Sequence, residues 1–288
     1  MGCYNVTASR DSKGFRGTVR AGLQWVDRTA PWAGLVLRRA RTRAWLRREI
    51  RSGRYLPTPP FVSHYADYEH SAASDRIPRR WHATWKSSDL PDEFRRNFER
   101  LRELHPAPAW THRVWSDDEI MDFAQTHYPD RKDAFEALPK HIMRVDLFRY
   151  MVMFVQGGVY SDLDVWMFRS IDELLADARL VLAAETDVVT DPNFIAQHFL
   201  SSVPGHPFWE DLLHAALDRP LDAIRGYGDP VSATGPVFVT RIWRASAAKY
   251  RAKVVPRVCL CPPAMLRRQG FTLPSQCYGI HECVGTWR

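Results

Sequence analysis

The sequence predicts an α/β domain in which helices flank a mostly parallel sheet. Short runs rich in aromatic and β-branched residues alternate with longer amphipathic or apolar segments, and this alternation is typical of such a fold. The 288 residues, 45% of them hydrophobic, are enough for one substantial core, which favours a single domain plus an extension. We therefore expect a domain at residues 76–288 after a basic helical extension and linker at residues 1–75.

The extension carries the basic charge of the chain. Residues 1–60 contain 13 Lys and Arg against 3 Asp and Glu, whereas the net charge of the whole chain is +7. Residues 35–55 predict a helix with arginines around a narrow apolar stripe. This helix could lie on an anionic membrane, or its stripe could pack on the domain. Binding to nucleic acid is disfavoured, because no recognisable nucleic-acid module accompanies the arginines.

Membrane insertion and export are not expected from the sequence. It contains no apolar run long enough to cross a bilayer and no signal peptide. We therefore expect a cytoplasmic or peripheral membrane protein.

The first half of the domain predicts two strands that alternate with two helices. The segment Arg76–Trp85 is aromatic-rich and predicts a strand, and Leu90–Leu104 predicts an amphipathic helix with proline and acidic residues in its first turn. A second strand is predicted at Trp110–Trp115. The segment Ser116–Tyr128 predicts a helix that begins with a capping box between its first residue and Glu119.

An apolar run at Ile142–Val155 predicts a buried helix. Its charged residues include Asp146 and Arg149, which are three apart in the sequence and therefore share one helix face. Gly157 and Gly158 predict the end of this helix, because glycine adopts the left-handed conformation without steric penalty.

An Asp-x-Asp pair follows in a predicted strand, Val159–Phe168. In an extended chain Asp162 and Asp164 point to the same side. Two carboxylates at such a short distance repel each other unless a cation binds them. Oxygen ligands favour Mg²⁺ or Mn²⁺. The alternative for an isolated Asp-x-Asp is a solvated turn, but the charged helix and the glycine pair favour a functional site.

The stretch DLFRYMVMFVQGGVYSDLDV, residues 146–165, resembles the signature of glycosyltransferase family 32, which includes the fungal initiation-specific α-1,6-mannosyltransferases. The resemblance implies the GT-A type of nucleotide-diphosphosugar transferase fold. It also implies that Asp162 and Asp164 bind the metal. Asp146 and Arg149 would contact the sugar or ribose of the donor and its phosphate side.

Both ends of the domain resemble the same family. The family's opening Ile-Pro-x-x-x-His-x-x-Trp is matched by a segment that ends at Trp85. The resemblance implies that Trp85 stacks on the nucleotide base, and the alternative is a core tryptophan. The closing His followed by Ser-Trp is matched by His281 and Trp287, with Thr286 in place of Ser. The resemblance implies that this tail folds over the diphosphate, that Trp287 contacts the donor and that His281 completes the metal site. A frayed tail is the alternative.

The second half of the domain contains weaker signals. A buried strand is predicted at Leu180–Ala184, and a Pro-Gly-His-Pro turn leads into a helix predicted at Phe208–Leu217, so that His206 is interpreted as a turn residue. Gln197 could contact the donor sugar. The small residues at 232–236 would allow a ligand or a helix terminus to approach the backbone, and a plain loop is equally consistent.

Taken with the resemblance, the sequence predicts a metal-dependent retaining glycosyltransferase. We expect it to move a hexose, mannose foremost, from GDP-mannose or a UDP-hexose to a glycan, lipid or protein acceptor, with Mn²⁺ or Mg²⁺ as cofactor. No second carboxylate can be assigned as a nucleophile, which favours a front-face displacement. One alternative is a catalytically degenerate protein that binds membrane or a polyanion. A phosphoester hydrolase is disfavoured because further metal ligands are not clustered in the sequence.

Overall fold

The computed structural model describes residues 76–184, 195–260 and 277–284, and these residues belong to one compact unit. The basic extension, the helix predicted at residues 35–55 and Trp287 lie outside the described residues. The domain boundary and the membrane contact therefore stay predictions. Within the described ranges, no helix has both the length and the apolar character needed to cross a bilayer.

The described strands form two sheets. The larger sheet has the order β2-β1-β3-β6-β5-β7, and the smaller one pairs β4 with β8. In chain order the strands are β1 (Arg80–Thr84), β2 (Thr111–Trp115), β3 (Gly158–Ser161), β4 (Val165–Met167), β5 (Leu180–Ala184), β6 (Ile195–Ser202), β7 (Lys253–Val255) and β8 (Gly279–His281). In the larger sheet β1 runs parallel to β2 and β3, and β5 runs parallel to β7, whereas β6 is antiparallel to both of its neighbours.

Helices cover the larger sheet on both faces. In chain order they are α1 (Asp92–Leu104), α2 (Asp117–His127), α3 (Lys132–Glu136), α4 (His141–Val155), α5 (Asp172–Leu175), α6 (Pro207–Leu217), α7 (Leu221–Arg225), α8 (Pro230–Ala233), α9 (Pro236–Tyr250) and α10 (Arg257–Leu260), with a short 3₁₀ turn before α3. The predicted fold class, an α/β domain with a mostly parallel sheet between helices, is confirmed.

Side chains that alternate along the central strands supply two cores. On β5, Leu180 and Leu182 pack with α4, α6 and α9, whereas Val181 and Ala183 pack with residues of α1, α5 and α10. Because successive residues of a strand face opposite sides, a strand covered on both sides is apolar throughout. This explains why the short apolar run at Leu180–Ala184 indicated a strand and why β5 has the predicted bounds.

The predicted buried helix is confirmed as α4, in which ten residues between Met143 and Met153 are buried. The predicted capping box is also confirmed at the start of α2. The hydroxyl of Ser116 accepts a hydrogen bond from the backbone N–H of Glu119 at 3.3 Å, and the Glu119 carboxylate accepts one from the backbone N–H of Ser116 at 2.7 Å. This exchange satisfies two N–H groups that a helix start otherwise leaves unpaired.

The prediction of a continuous strand at Val159–Phe168 is wrong. The chain instead leaves the larger sheet after β3, turns at residues 162–164, and enters the smaller sheet as β4. The turn is closed by the backbone N–H of Val165, which donates to the carbonyl of Asp162 at 3.2 Å. The strand breaks because β3 pairs with β1 and β6, whereas β4 pairs with the C-terminal β8.

Strand β6 was not predicted. All eight of its residues are buried, and among them are Gln197, His198, Ser201 and Ser202. These polar residues interrupt the apolar run that would have indicated a strand buried on both faces. The helix predicted to follow is confirmed as α6, and His206 is its N-cap, where the imidazole accepts from the backbone N–H of Phe208.

Gly157 and Gly158 end α4 as predicted, with φ angles of +62° and +98°. Steric crowding adds to this conformational requirement. A Cβ atom on Gly158 would lie 2.4 Å from the carbonyl oxygen of Arg80, and one on Gly157 would lie 2.6 Å from the backbone nitrogen of Pro204. The glycine pair therefore lets the chain turn from α4 into β3 in contact with β1.

Substitution Gly158→Ala should lower the free energy of unfolding by about 2–5 kcal/mol, because a positive φ and a clash with backbone both oppose the methyl group. Chemical denaturation measures the loss. Gly205→Ala is a matched control, since Gly205 also has a positive φ, +71°, but has nothing within 4 Å of the added atom. Its loss should be only about 1–2 kcal/mol. Equal losses at the two positions would contradict the role of crowding.

Candidate active site

A cavity of about 920 Å³ opens where β1 and β3 end. The carboxyl ends of parallel strands are the usual place for ligands in α/β sheets. Gln197 and His198 of β6, the N-terminal ends of α4 and α9, and the C-terminal segment that contains His281 also line the cavity. Segments that are far apart in the sequence therefore meet around one space.

Six of the seven predicted site residues line this cavity: Trp85, Asp146, Arg149, Asp162, Asp164 and His281. The seventh, Trp287, lies outside the described residues. Their predicted roles toward donor and metal stay predictions.

Asp146 and Arg149 project from one face of α4, as their spacing predicted. The guanidinium of Arg149 lies 3.7 Å from the carboxylate of Asp146 and 3.2 Å from the carboxylate of Asp162. It also lies over the ring of Tyr160, with 5.0 Å between Cζ and the ring centroid. Only 9% of the Arg149 side chain is exposed. Arg149 thus joins the buried helix to the turn that carries the Asp-x-Asp pair.

Burial governs the protonation of Asp146. Desolvation raises the pKa of Asp146 to about 6, although the charge of Arg149 and a hydrogen bond from the hydroxyl of Thr234, 2.8 Å long, both oppose this shift. Burial also acts against the charge of Arg149, but the carboxylate of Asp162 and its other neighbours outweigh burial and raise the pKa of the guanidinium. The site therefore keeps one permanent cation beside a carboxyl group that titrates near neutral pH.

The structure brings Asp162, Asp164 and His281 together. One potential ligand atom of each residue lies within 4.8 Å of those of the other two. The imidazole Nε2 of His281 lies 3.2 Å from Oδ1 of Asp164, and the residue after Asp164, Val165, pairs with His281 across the smaller sheet. The turn between β3 and β4, rather than a continuous strand, thus presents both carboxylates to the imidazole.

Neighbouring groups hold the two carboxylates in position. Asp162 accepts a hydrogen bond from the hydroxyl of Tyr160 at 3.0 Å, and Asp164 accepts one from the backbone N–H of Val284 at 2.9 Å. Burial acts against the charge of Asp164, but the interaction with His281 outweighs burial and lowers the pKa of this carboxyl group. A set of two carboxylates and one imidazole fits a divalent ion such as Mn²⁺, which accepts oxygen and nitrogen ligands.

Sequence reasoning missed His198. Its ring stacks on the ring of His281, with centroids 4.3 Å apart and planes inclined by 21°, and its carbonyl oxygen accepts a hydrogen bond from the backbone N–H of Asp162 at 3.1 Å. Burial, followed by the nearby charge of His281, lowers the pKa of His198 well below its usual value. No motif marks this residue, because its neighbours come from a turn and a strand that are remote in the sequence.

The segment at residues 232–236 supports the site through Thr234. Besides the hydrogen bond from its hydroxyl to Asp146, the carbonyl of Thr234 accepts from the hydroxyl of Tyr150 at 2.6 Å and from the amide of Gln197 at 3.0 Å. The small residues there indicated a close backbone approach, but the hydrogen bond to Asp146 was not predicted. Gln197 lines the cavity, and its contact with the donor stays a prediction.

Trp85 follows β1 directly at the rim of the cavity. It is half-buried and packs edge-to-face on Phe94, with ring centroids 4.9 Å apart. One side of the residue therefore has a core contact while the residue also lines the cavity. Base stacking and a structural role both remain consistent with this position.

The raised pKa of Asp146 makes the free energy of unfolding depend on pH, with a sign that follows from the shift. The native pKa, about 6, lies above the ordinary value of 3.8, so the folded state binds the proton more tightly than the unfolded state. The resulting stabilisation is fully present below the unfolded pKa and is lost as pH rises through about 6. Compared with the Asp146→Asn variant, the wild-type protein should therefore gain about 1.4 kcal/mol of unfolding free energy between about pH 7.5 and about pH 5.

Denaturant titrations of both proteins at the two pH values measure this gain. Replacing the ionised carboxylate by an amide adds a constant offset to the difference, so only the change of the difference with pH is informative. A constant difference between wild type and variant would contradict a raised pKa.

Part of the site lies in a region that matches known proteins. Residues 91–181 match the family model described as the glycosyltransferase sugar-binding region containing DXD motif. The chain is 30% identical to inositol phosphoceramide mannosyltransferase 3 of Schizosaccharomyces pombe over 184 residues, which are 62% of this chain and 49% of that protein. It is 24% identical to the initiation-specific alpha-1,6-mannosyltransferase of Candida albicans over 171 residues, or 51% of this chain and 44% of that protein.

The chain spans about half the length of the curated relatives it matches. Among solved structures, it is similar to the PaToxG glycosyltransferase, with a TM-score of 0.47 and 13% identity, over 60% of this chain and 71% of that one.

Proposed function

We propose that this chain, in which residues 91–181 match the glycosyltransferase sugar-binding region containing DXD motif, is a metal-dependent, retaining hexosyltransferase of glycosyltransferase family 32. It moves a sugar from a nucleotide diphosphate sugar to an acceptor hydroxyl. The observation that carries the proposal is the convergence of Asp162, Asp164 and His281 in a cavity that also contains the buried pair Asp146 and Arg149.

The three convergent residues would hold a divalent ion. Mn²⁺ fits them better than Mg²⁺, because the set includes an imidazole. When bound, such an ion supplies positive charge that stabilises the leaving diphosphate. The lowered pKa of Asp164 keeps that carboxylate ionised and available as a ligand at neutral pH.

The protein contributes further positive charge of its own. Arg149 is a buried cation, and its Nε atom has no hydrogen-bond partner among the described residues. Helices α4 and α9, each of fifteen residues, begin at the cavity with neither a side-chain cap nor an acidic residue in the first turn. The N–H groups and dipoles of such helix starts favour an anionic ligand, which supports a phosphate-bearing donor.

Asp146 is suited to bind hydroxyl groups. As a carboxylate it accepts hydrogen bonds, and the buried hydroxyl of Thr234 donates to one of its oxygen atoms. We propose that the other oxygen accepts from a hydroxyl of the donor sugar or ribose, while Arg149 contacts the phosphate side of the donor.

The remaining carboxylates support a front-face displacement. Among the described residues that line the cavity, Asp117 pairs with His141 at 3.0 Å, Asp229 accepts from the backbone N–H of Ser232, and Asp146 is engaged by Thr234. We therefore assign none of these three carboxylates as a nucleophile. The acceptor hydroxyl then attacks the anomeric carbon from the side of the leaving group, the bond to phosphate breaks, and a phosphate oxygen takes the proton of the hydroxyl.

The names of the relatives favour mannose as the sugar. We propose GDP-mannose as the donor, with a UDP-hexose as the alternative. The inositol phosphoceramide mannosyltransferases among the relatives favour a lipid-linked acceptor over a glycan or protein acceptor. The alternative of a degenerate protein that binds membrane or a polyanion depends on residues 35–55, outside the described residues, and no feature of the cavity favours it.

Thermal stabilisation by Mn²⁺ with GDP-mannose, compared with Mn²⁺ and UDP-sugars, tests the proposal. A ligand at a hundred times its Kd adds about 2.7 kcal/mol to the stability of the folded state, and a chelator should abolish this shift. The Asp162→Asn and Asp164→Asn variants should lose it, and their sugar transfer to a lipid acceptor, followed by mass spectrometry, should fall at least about 100-fold.

Asp117→Asn is the matched control, because Asp117 lines the same cavity without belonging to the convergent set. It should keep both the shift and the transfer activity. Undiminished transfer by the doubly substituted Asp162→Asn, Asp164→Asn protein would refute the proposed function.

A further inference from the structure

The stacked rings of His198 and His281 come from two strands that differ in how many neighbouring strands hold them. His281 ends β8, a strand of three residues that pairs only with β4 among the described strands. His198 lies within β6, an eight-residue strand with all residues buried and with β3 and β5 on either side. The exposed fraction of His198 is 3%. The ring of His281 therefore rests on a ring that is held by the centre of the larger sheet.

The same residue also holds the first carboxylate. The carbonyl oxygen of His198 accepts from the backbone N–H of Asp162 at 3.1 Å, immediately before the turn to Asp164. His198 thus contacts two members of the convergent set, one through its backbone and the other through its ring. The backbone contact survives any substitution that preserves β6, so the contribution of the ring can be tested separately.

The ring of His198 contacts His281 through its face. Its Nε2 atom is buried and has no hydrogen-bond partner among the described residues. A buried polar atom without a hydrogen-bond partner lowers the stability of the fold by about 1–3 kcal/mol. The Nε2 atom therefore does not account for a histidine at this position. A phenyl ring would avoid that cost and keep a flat face of similar size.

We infer that His198 is a positioning residue whose ring face sets the orientation of the His281 imidazole, so that its Nε2 atom points at the same space as the carboxylates of Asp162 and Asp164. This inference rests on the proposed function, because it assigns His281 to the metal. Residues that orient a ligand imidazole typically change metal affinity about 10–100-fold when removed.

Titration of the protein with Mn²⁺, followed by the electron paramagnetic resonance of the free ion, tests the inference without any turnover. His198→Ala removes the stacking face and should weaken Mn²⁺ binding about 10–100-fold. His198→Phe retains the face and should bind Mn²⁺ within about threefold of wild type, since the stack, and not the nitrogen, is required. Electron spin echo modulation from a ligand nitrogen should be present in wild type and His198→Phe, and absent from His198→Ala and His281→Ala.

His112→Ala is the matched control. His112 also contacts an aromatic ring, that of Phe98 at 6.2 Å, and its buried Nε2 also has no partner among the described residues, but it does not line the cavity. This variant should bind Mn²⁺ as wild type does. Thermal unfolding of each variant verifies that it is folded at the temperature of the titration.

Three results would overturn the inference. Wild-type affinity and nitrogen modulation in His198→Ala would mean that the stack does not position His281. A folded His198→Phe protein as weak as His198→Ala would mean that the nitrogen rather than the face matters. Absence of Mn²⁺ binding by wild type itself would refute the proposed function together with the inference, whereas the first two results leave the proposed function intact.

Discussion

The ion pair between the buried Arg149 and the partly exposed Asp162 connects the main parts of the structure. The guanidinium extends from α4, and the carboxylate, 3.2 Å away, belongs to the turn between the two sheets. A charge buried to this extent is tolerated only when opposite charges and hydrogen bonds surround it. Asp146, Tyr160 and Asp162 supply that surrounding for Arg149. The helix, the end of β3 and the Asp-x-Asp turn are therefore constrained to one arrangement, and the cavity forms around it.

Each of the two sheets positions a different part of the site. The larger sheet holds β3 and β6 side by side, so that Asp162 and His198 are neighbours through a backbone hydrogen bond. The smaller sheet returns the C-terminal segment to the Asp-x-Asp turn, where His281 meets Asp164. This division explains why the turn at residues 162–164 is necessary, since a continuous strand would keep the chain in the larger sheet and leave β8 without a partner.

The polar interior of the site extends well beyond the residues that would contact a donor. Thr234 fixes Asp146 and is itself fixed by Tyr150 and Gln197. Such a network holds a carboxylate in place inside a protein interior, where rearrangement of a buried polar group is costly. Its members come from α4, β6 and the segment between α8 and α9, so a substitution in any of these elements acts on the position of one carboxylate.

The sequence by itself determined the parts of this protein that depend on local geometry. The spacing of Asp146 and Arg149 set them on one helix face, the glycine pair ended α4, and the capping box began α2, because each of these features follows from interactions within a few residues. Tertiary structure decided the turn between Asp162 and Asp164, the strand that contains His198, and the contacts of Thr234. These features depend on strand pairing and on packing between segments that are far apart in the sequence, which no local pattern of residue types encodes.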